Sequence, residues 1–315
     1  MPTGLDGDIA IHVENLTKRY GSLTAVNGIN FSVKRGEVFA FLGPNGAGKT
    51  TTTEMLVGLR KPTSGKAYVL GFDASKDHNE IKKLIGVLPQ SFNTYERLTV
   101  RETLEYFAGI FNSKPDIDGL IKLVDLEDKR KAQFKNLSGG LKQRLGIAVA
   151  LVNNPEIVFL DEPTSGLDPK ARHGVWRLIE GLHGQGKTVF LTTHYMEEAE
   201  ALATRVGIIN SGNIVALDTT DGLITKHGKK NLLLLKNADS KAFSVLSKAG
   251  IEAHNDKATG DIIVHLDHSH AASDVLQRLS EARIGFGELQ LKRSSLEDVF
   301  LNITGEQLER EEATQ

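Results

Sequence analysis

Apolar and polar positions change rhythm several times along this chain. Residues 9–33 alternate with a period near two, which predicts two or three strands turned at Tyr20-Gly21. Val38–Leu42 is an unbroken apolar run, the pattern of a buried strand. After Thr50, the positions Thr53, Leu56, Val57 and Leu59 place one helix face against a sheet, and Lys61–Gly65 ends that helix. Val87–Gln90 predicts a short strand finishing in Pro-Gln, followed by a polar and aromatic loop to Arg97. Thr99-Val-Arg-Glu102 is a capping box. Behind it Val100, Leu104, Phe107, Ala108 and Phe111 share one helix face, and Ile117, Leu120, Ile121 and Val124 repeat the pattern. With a further helix from Ser138 to Val152, the span from about 99 to 152 reads as a helical insert. Ile157–Leu160 and Thr188–Thr193 are buried strands. Between them, Asp168-Pro169 opens a helix whose core face is Val175, Trp176, Ile179 and Leu182 and which stops at Gly184-Gln185-Gly186. Arg205–Leu217 predicts a hairpin turned at Asn210-Ser211-Gly212.

The pattern changes after Asp221-Gly222. Leu232–Leu235 is strand-like and Ala242–Ala249 helix-like. Ile251–His254 and Ile262–Leu266 suit a hairpin, Ala271–Ile284 a helix, Leu289–Leu291 a last strand, and Leu296, Val299 and Phe300 a short helix. The order β-α-β-β-α-β predicts a small ferredoxin-like module. The expected division is therefore an α/β domain over residues 1–220, a small α+β domain over 221–305, and a charged, frayed tail over 306–315.

Composition narrows the class. The 315 residues are 40% hydrophobic and 25% charged, an ordinary globular balance with room for two cores. No apolar stretch approaches the roughly 18 residues of a membrane span, and Met1–Asp8 lacks a basic start and apolar core. With no cysteine, disulfide and thiolate chemistry are excluded. A net charge of −2 argues against general nucleic-acid binding.

The chemistry gathers at strand ends. Gly43-Pro44-Asn45-Gly46-Ala47-Gly48-Lys49-Thr50 fits G-x-x-x-x-G-K-[ST] between a strand and a helix. Its glycines let backbone N–H groups curl around phosphate oxygens at a helix N-terminus. Lys49 is placed to reach the β- and γ-phosphates, and the Thr50 hydroxyl to hold Mg²⁺. The plain alternative is a Gly-rich turn. Ile157–Leu160 leads into Asp161-Glu162 at the end of a sheet where ligands bind. Strand alternation sends these two carboxylates in different directions. Asp161 suits a water-mediated Mg²⁺ role beside Thr50, and Glu162 is left to polarise an attacking water. Capping of the strand is the alternative. Ser138-Gly139-Gly140 at a helix start offers a second anion nest, though helix capping alone explains such residues. His194 ends the last buried strand in the same layer, which favours a γ-phosphate contact. Tyr20 is either an adenine-stacking ring or a half-buried strand residue. His265, His268 and His270 with Asp267 form a metal-like cluster without a standard zinc spacing, which fits solvated or capping residues better.

With these residues in place, the first two-thirds of the chain resembles the ATP-binding subunit of an ABC transporter. The motifs come in the family's order: Gly43–Thr50 with Thr51 as Walker A, Gln90 as the Q-loop, Leu137–Leu141 as the signature, Ile157–Asp161 as Walker B, Ser165–Asp168 as the D-loop, and His194 as the switch histidine. The resemblance implies a P-loop NTPase fold with a mixed sheet, N-terminal antiparallel strands and a helical insert. It implies ATP and Mg²⁺ as cofactors, with Tyr20 on adenine, Gln90 joining Thr50 and Asp161 at the metal, and Glu162 as catalytic base. It further implies a homodimer in which each ATP lies between one chain's Walker A and the other's Ser138–Gly140 and Asp168. A membrane permease would be met near Phe92–Arg97, at the inner face of the cell membrane. The signature departs from the common pattern at Leu141, where Gln is usual, and a weakened nucleotide contact is the expected effect. The segment Ser294–Gly305 resembles the extension of the drug-, polysaccharide- and multidrug-export branch. The small domain's role stays open among packing on the ATPase, supporting its dimer and sensing. A soluble ABC ATPase of DNA repair or translation usually carries a long coiled-coil insert or two ATPase halves in one chain, and this sequence shows neither. A P-loop GTPase or small-molecule kinase would leave Leu137–Leu141 and His194 unexplained.

Overall fold

The computed structural model describes residues 7–239, 241–256, 259–266 and 272–305. The chain divides at Thr220/Asp221 into two compact units.

The first unit opens with a long hairpin, β1 (Ile9–Tyr20) and β2 (Leu23–Lys34), then β3 (Val38–Leu42) and α1 (Lys49–Leu56). It continues through β4 (Ser64–Val69), β5 (Phe72–Asp73), α2 (His78–Leu84) and β6 (Ile85–Leu88). The helical region is α3 (Val100–Ile110), α4 (Ile117–Leu123) and α5 (Gly139–Ala150). Then come β7 (Ile157–Asp161), α6 (Pro169–Gly184), β8 (Thr188–Thr193), α7 (Met196–Leu202), β9 (Arg205–Asn210) and β10 (Asn213–Thr219). Two sheets result. An antiparallel one has the order β2-β1-β4-β5, and a mixed one has the order β10-β9-β3-β8-β7-β6, parallel except for β10.

Strand alternation explains why the central strands are apolar throughout. Val38, Val158, Leu160, Val189 and Leu191 enter one core, shared with α3 to α6. Phe39, Phe41, Ile157, Phe159 and Phe190 enter the other, under the antiparallel sheet and α1. Phe39 and Phe190 stack at 5.7 Å between ring centres and Phe31 stacks on Phe39 at 5.5 Å, contacts worth about 0.5–1.5 kcal/mol each beyond area burial. Parallel register pairs Leu42 with Thr193 and Asp161 with Thr192, so the segments leaving β3, β7 and β8 emerge on one edge.

Local signals account for the helix starts. At α3 both capping-box bonds form, Glu102 N–H donating to Thr99 Oγ1 and Thr99 N–H to Glu102 Oε2. Two apolar positions expected on core faces lie outside them. Leu59 is 76% exposed because α1 ends at Leu56 and Gly58 turns the chain at φ +78°. Phe111 is 41% exposed because it is the C-cap of α3, past the last core-facing turn. The strand expected to finish in Pro-Gln ends at Leu88, leaving Gln90 on a loop. The antiparallel sheet also takes in β4 and β5, and α2 and α7 add two helices that apolar periodicity does not mark.

The second unit begins within α8 (Thr220–His227) and runs through β11 (Asn231–Lys236), α9 (Lys241–Lys248), β12 (Ala253–Asn255), β13 (Ile262–Leu266), α10 (Ala272–Glu281), β14 (Glu288–Lys292) and α11 (Leu296–Thr304). Its sheet is antiparallel in the order β12-β13-β11-β14, the ferredoxin-like arrangement. Leu233, Leu235, Leu246, Val264, Val275 and Leu279 form its core. Of the expected histidine cluster, Asp267, His268 and His270 lie outside the described residues. His265 Nε2 instead stands 3.2 Å from His254 Nδ1, and no group of three metal-binding side chains occurs among the described residues.

Candidate active site

The turn from β3 into α1 is held by close approaches that only glycine permits. A Cβ on Gly43 would stand 2.2 Å from the Ile209 carbonyl oxygen, and one on Gly48 2.4 Å from that of Ala25. Gly48 also takes φ +106° as the N-cap of α1, with no side-chain cap and no acidic residue in the first turn. The N-terminal amides of α1 are thereby left for an anion.

Lys49 is 4% exposed, and its ammonium is fully engaged. Nζ donates to the Gly43 carbonyl at 2.7 Å and the Pro44 carbonyl at 3.1 Å, and lies 3.1 Å from Glu162 Oε1. Burial lowers its pKa, against the opposing charges of Glu162 and Asp161. Asp161 shares the strand face of Ile157 and Phe159, which turns it toward α1. Thr50 Oγ1 donates to Asp161 Oδ1 directly at 3.4 Å, and the Thr192 hydroxyl on β8 donates to the same oxygen. Burial pushes the Asp161 carboxyl up, against those two hydroxyls and Lys49.

The alternation expected of the two carboxylates does not extend to Glu162. β7 ends at Asp161, and Glu162 has φ +48°, a left-handed conformation that costs a non-glycine residue roughly 1–3 kcal/mol. Its amide is tied to the Thr192 carbonyl and hydroxyl at 3.1 and 3.0 Å. The twist leaves the second carboxylate within reach of Lys49 at the start of α1. There Gln90 Nε2 donates to Glu162 Oε2 at 3.1 Å, and His194 Nδ1 stands 3.3 Å from that oxygen but off hydrogen-bond geometry. Burial would raise this carboxyl. The contacts from His194 and Lys49 outweigh it and bring the pKa down from 4.5 to about 2. Glu162 is thus an ionised base held by a lysine, an amide and an imidazole.

A cavity of about 420 Å³ opens over this group, lined by Tyr20, Leu23, Ala25, Asn45, Gly46, Gly48, Lys49, Thr50, Thr51, Gln90 and Glu162. The Tyr20 ring is 39% exposed, with Lys18 and Arg60 cations 5.2 and 5.4 Å from its centre. Thr50, Gln90 and Asp161 offer hard oxygen donors, the set a magnesium ion takes. Gly43, Pro44, Asp161 and His194 stand behind this lining, tied to it through Lys49, Thr50 and Glu162, and Ala47 lies in the chain between Gly46 and Gly48. Ser138, Gly139, Gly140 and Asp168 neither line the cavity nor contact those residues in any hydrogen bond or ion pair described above. Ser138 and Asp168 are exposed N-caps of α5 and α6, accepting from Leu141 N–H at 3.4 Å and Ala171 N–H at 2.9 Å. A Cβ on Gly140 would stand 2.8 Å from Ala171 Cβ, so glycine lets these two helix starts sit side by side. Leu141 packs on the core shared by α3 to α6. Sequence reasoning misses Thr192, whose hydroxyl orients Asp161, because a threonine in an apolar strand carries no sign of polar work.

A strand-loop-helix anion site, with a histidine at the end of the neighbouring strand β8 and paired carboxylates at the end of β7 beyond it, defines a P-loop nucleoside triphosphatase. The ABC transporter family profile matches residues 26–165. The chain is 37% identical to the daunorubicin resistance ATP-binding protein DrrA3 of Streptomyces coeruleorubidus, over 97% of this chain and 99% of that one. It is 33% identical to the linearmycin resistance ATP-binding protein LnrL of Bacillus subtilis, over 95% and 99%. To the Nod factor export ATP-binding protein I of Rhizobium meliloti it is 37% identical, over 97% and 91%. Among solved structures, the ABC transporter cassette MJ0796 in a post-hydrolysis state bound to ADP and Pi aligns with a TM-score of 0.60 at 29% identity, over 66% of this chain and 98% of that one. The chain belongs to the ABC transporter family as an ATP-binding subunit, and its activity is that of an ATPase.

Proposed function

We propose that this chain powers an export-type ABC transporter, with residues 1–220 as the ATPase domain and 221–305 as an accessory domain. The relatives named for drug resistance and Nod factor export support the export reading. The single observation that carries the mechanism is the convergence of Lys49, Gln90 and His194 on Glu162. Residues Gly43–Thr51 wrap the phosphates, Lys49 meets the β- and γ-phosphates, and Tyr20 stacks on adenine. Thr50, Gln90 and Asp161 would hold Mg²⁺, which when bound neutralises charge on the phosphate oxygens. Phosphate oxygens and Glu162 compete for the same ammonium. Binding therefore draws Lys49 off the carboxylate and frees it to orient the attacking water. His194 then faces the γ-phosphate.

Ser138, Gly139, Gly140 and Asp168 lie off the cavity because they serve a second copy's nucleotide, in a two-fold dimer. The cassette MJ0796 has itself been solved as a dimer. Asn93, Thr94, Tyr95, Tyr106, Phe107 and Ile110 line a depression of about 410 Å³, with Tyr95 and Ile110 61% and 59% exposed. It adjoins the Phe92–Arg97 loop and suits an apolar segment of a membrane permease. Among the described residues no helix is long and apolar enough to cross a membrane. As an ATP-binding subunit of the ABC transporter family, the chain would act at the cytoplasmic face of the membrane through that partner.

The test is Glu162→Gln. ATP binding should persist, and hydrolysis should fall by about 10²–10⁴-fold, the usual worth of a positioned base. Normal turnover in a folded Glu162→Gln chain would assign the base elsewhere.

A further inference from the structure

Behind the site lies a carboxylate that the mechanism does not use. Glu198 sits in the first turn of α7 and is wholly buried. Its Oε1 accepts from Thr164 Oγ1 at 2.7 Å and from Trp176 Nε1 at 3.0 Å. Thr164 belongs to the segment that leaves Glu162, where Ser165 N–H donates to the Glu162 carbonyl at 3.2 Å and Leu167 N–H to the Thr164 carbonyl at 3.2 Å. Trp176 is on α6, the helix capped by Asp168. The N-cap of α7 is Tyr195, whose ring is centred 4.0 Å from that of His194. The Arg172 guanidinium of α6 lies 4.3 Å from the Tyr195 ring centre. One carboxylate oxygen therefore joins three pieces of chain: the segment after Glu162, the helix after Asp168, and the helix after His194.

We propose that Glu198 is a positioning residue that keeps Glu162 and His194 in working register with the 163–168 segment. This rests on the roles proposed above for Glu162 and His194. An apolar side chain would fill the same space without desolvating a charge, but it would fix no hydroxyl and no indole. The carboxylate supplies directional bonds where direction is needed, because Glu162 is held in a left-handed conformation that only surrounding contacts can maintain. Burial pushes the Glu198 carboxyl up, while hydrogen bonds from Thr193, Thr164 and Trp176 and the charge of Arg172 oppose the rise.

The experiment compares Thr164→Val, Trp176→Phe, Glu198→Ala and Glu198→Gln in the full chain, measuring steady-state ATPase and equilibrium binding of ATP with magnesium. Thr164→Val, which deletes one hydroxyl at constant shape, should lower kcat by about tenfold or more, since small misplacements of reacting groups are costly. ATP affinity should stay within about twofold, the signature of a group acting only on the chemical step. Glu198→Gln keeps an acceptor oxygen and should retain more turnover than Glu198→Ala. Thr164→Val added to Glu198→Ala should cost nothing further, because the shared bond is already gone. Should Glu198→Ala fail to fold, Thr164→Val and Trp176→Phe carry the test by themselves. Unchanged kcat in those two, or equal loss of affinity and kcat, overturns the proposal. Glu162→Gln is run in parallel. If it keeps full turnover, the assignment of the base falls and this proposal with it. If it loses turnover while Thr164→Val does not, this proposal alone falls.

Discussion

Lys49 Nζ and Glu162 Oε1 lie 3.1 Å apart, with side chains 4% and 5% exposed, and this pair joins the phosphate loop to the end of β7, two strands away in the sheet. The two charges compensate each other in a place where either alone would be costly. A nucleotide that takes Lys49 must offer a better anion than Glu162 does. Triphosphate oxygens, backed by the free amides of α1, meet that condition.

Lys49→Ala should therefore remove a charge-assisted contact and weaken ATP binding by at least about tenfold, with the circular dichroism of the folded chain unchanged. Equilibrium titration with ATP checks this. Undiminished affinity would remove the phosphate loop from the site.

Much of this site is legible in the amino-acid sequence, for a physical reason. A phosphate loop needs glycine where the backbone approaches itself, as at Gly43 and Gly48, and those residues stand out in a sequence. The buried strands Val38–Leu42 and Ile157–Asp161 are equally plain, because both of their faces are covered. The hidden features depend on tertiary contact. Glu162 looks like the next residue of an alternating strand, and nothing local announces its φ of +48°. Glu198 sits among Glu197, Ala199 and Glu200, where a charged helix face reads as solvated, yet it is wholly buried. One clue exists: Trp176 is expected on a core face, and a buried indole N–H requires an acceptor. Leu59 is misplaced because its apolar character fits a helix that Gly58 has already ended.

Acid should expose the Glu162 interaction. The folded-state pKa is about 2 against an ordinary 4.5, so the folded chain holds this proton less tightly than the unfolded chain. The stability this group contributes is complete above about 4.5 and is lost as pH falls toward about 2. The difference in thermal midpoint between wild type and Glu162→Gln should shrink across that window. A difference that widened on acidification would carry the wrong sign for an ionised, paired Glu162.

The apolar depression beside the helical insert makes a separable prediction. Ile110→Glu puts a charge on a surface 59% exposed at that residue and distant in the chain from every residue assigned to nucleotide. Basal ATPase of the purified chain should be unchanged, while association with the co-expressed permease should fall by about tenfold or more, as for loss of an apolar anchor. Unimpaired association would place the docking surface elsewhere.

In the proposed dimer one working site needs two chains, and mixing two dead variants tests this most directly. Lys49→Ala disables a chain's own phosphate loop, while Ser138→Arg spoils the nest it lends to its partner. Each homodimer then holds two broken sites. A mixed dimer gathers both faults into one site and leaves the other intact. Random mixing makes about half of the dimers mixed, so roughly a quarter of wild-type ATPase should return if the sites fire independently. If both sites must fire together, the mixture should instead regain ATP-dependent dimerisation, read by size, without turnover. Neither activity nor dimerisation returning, with both variants folded, would mean that each site is built within a single chain.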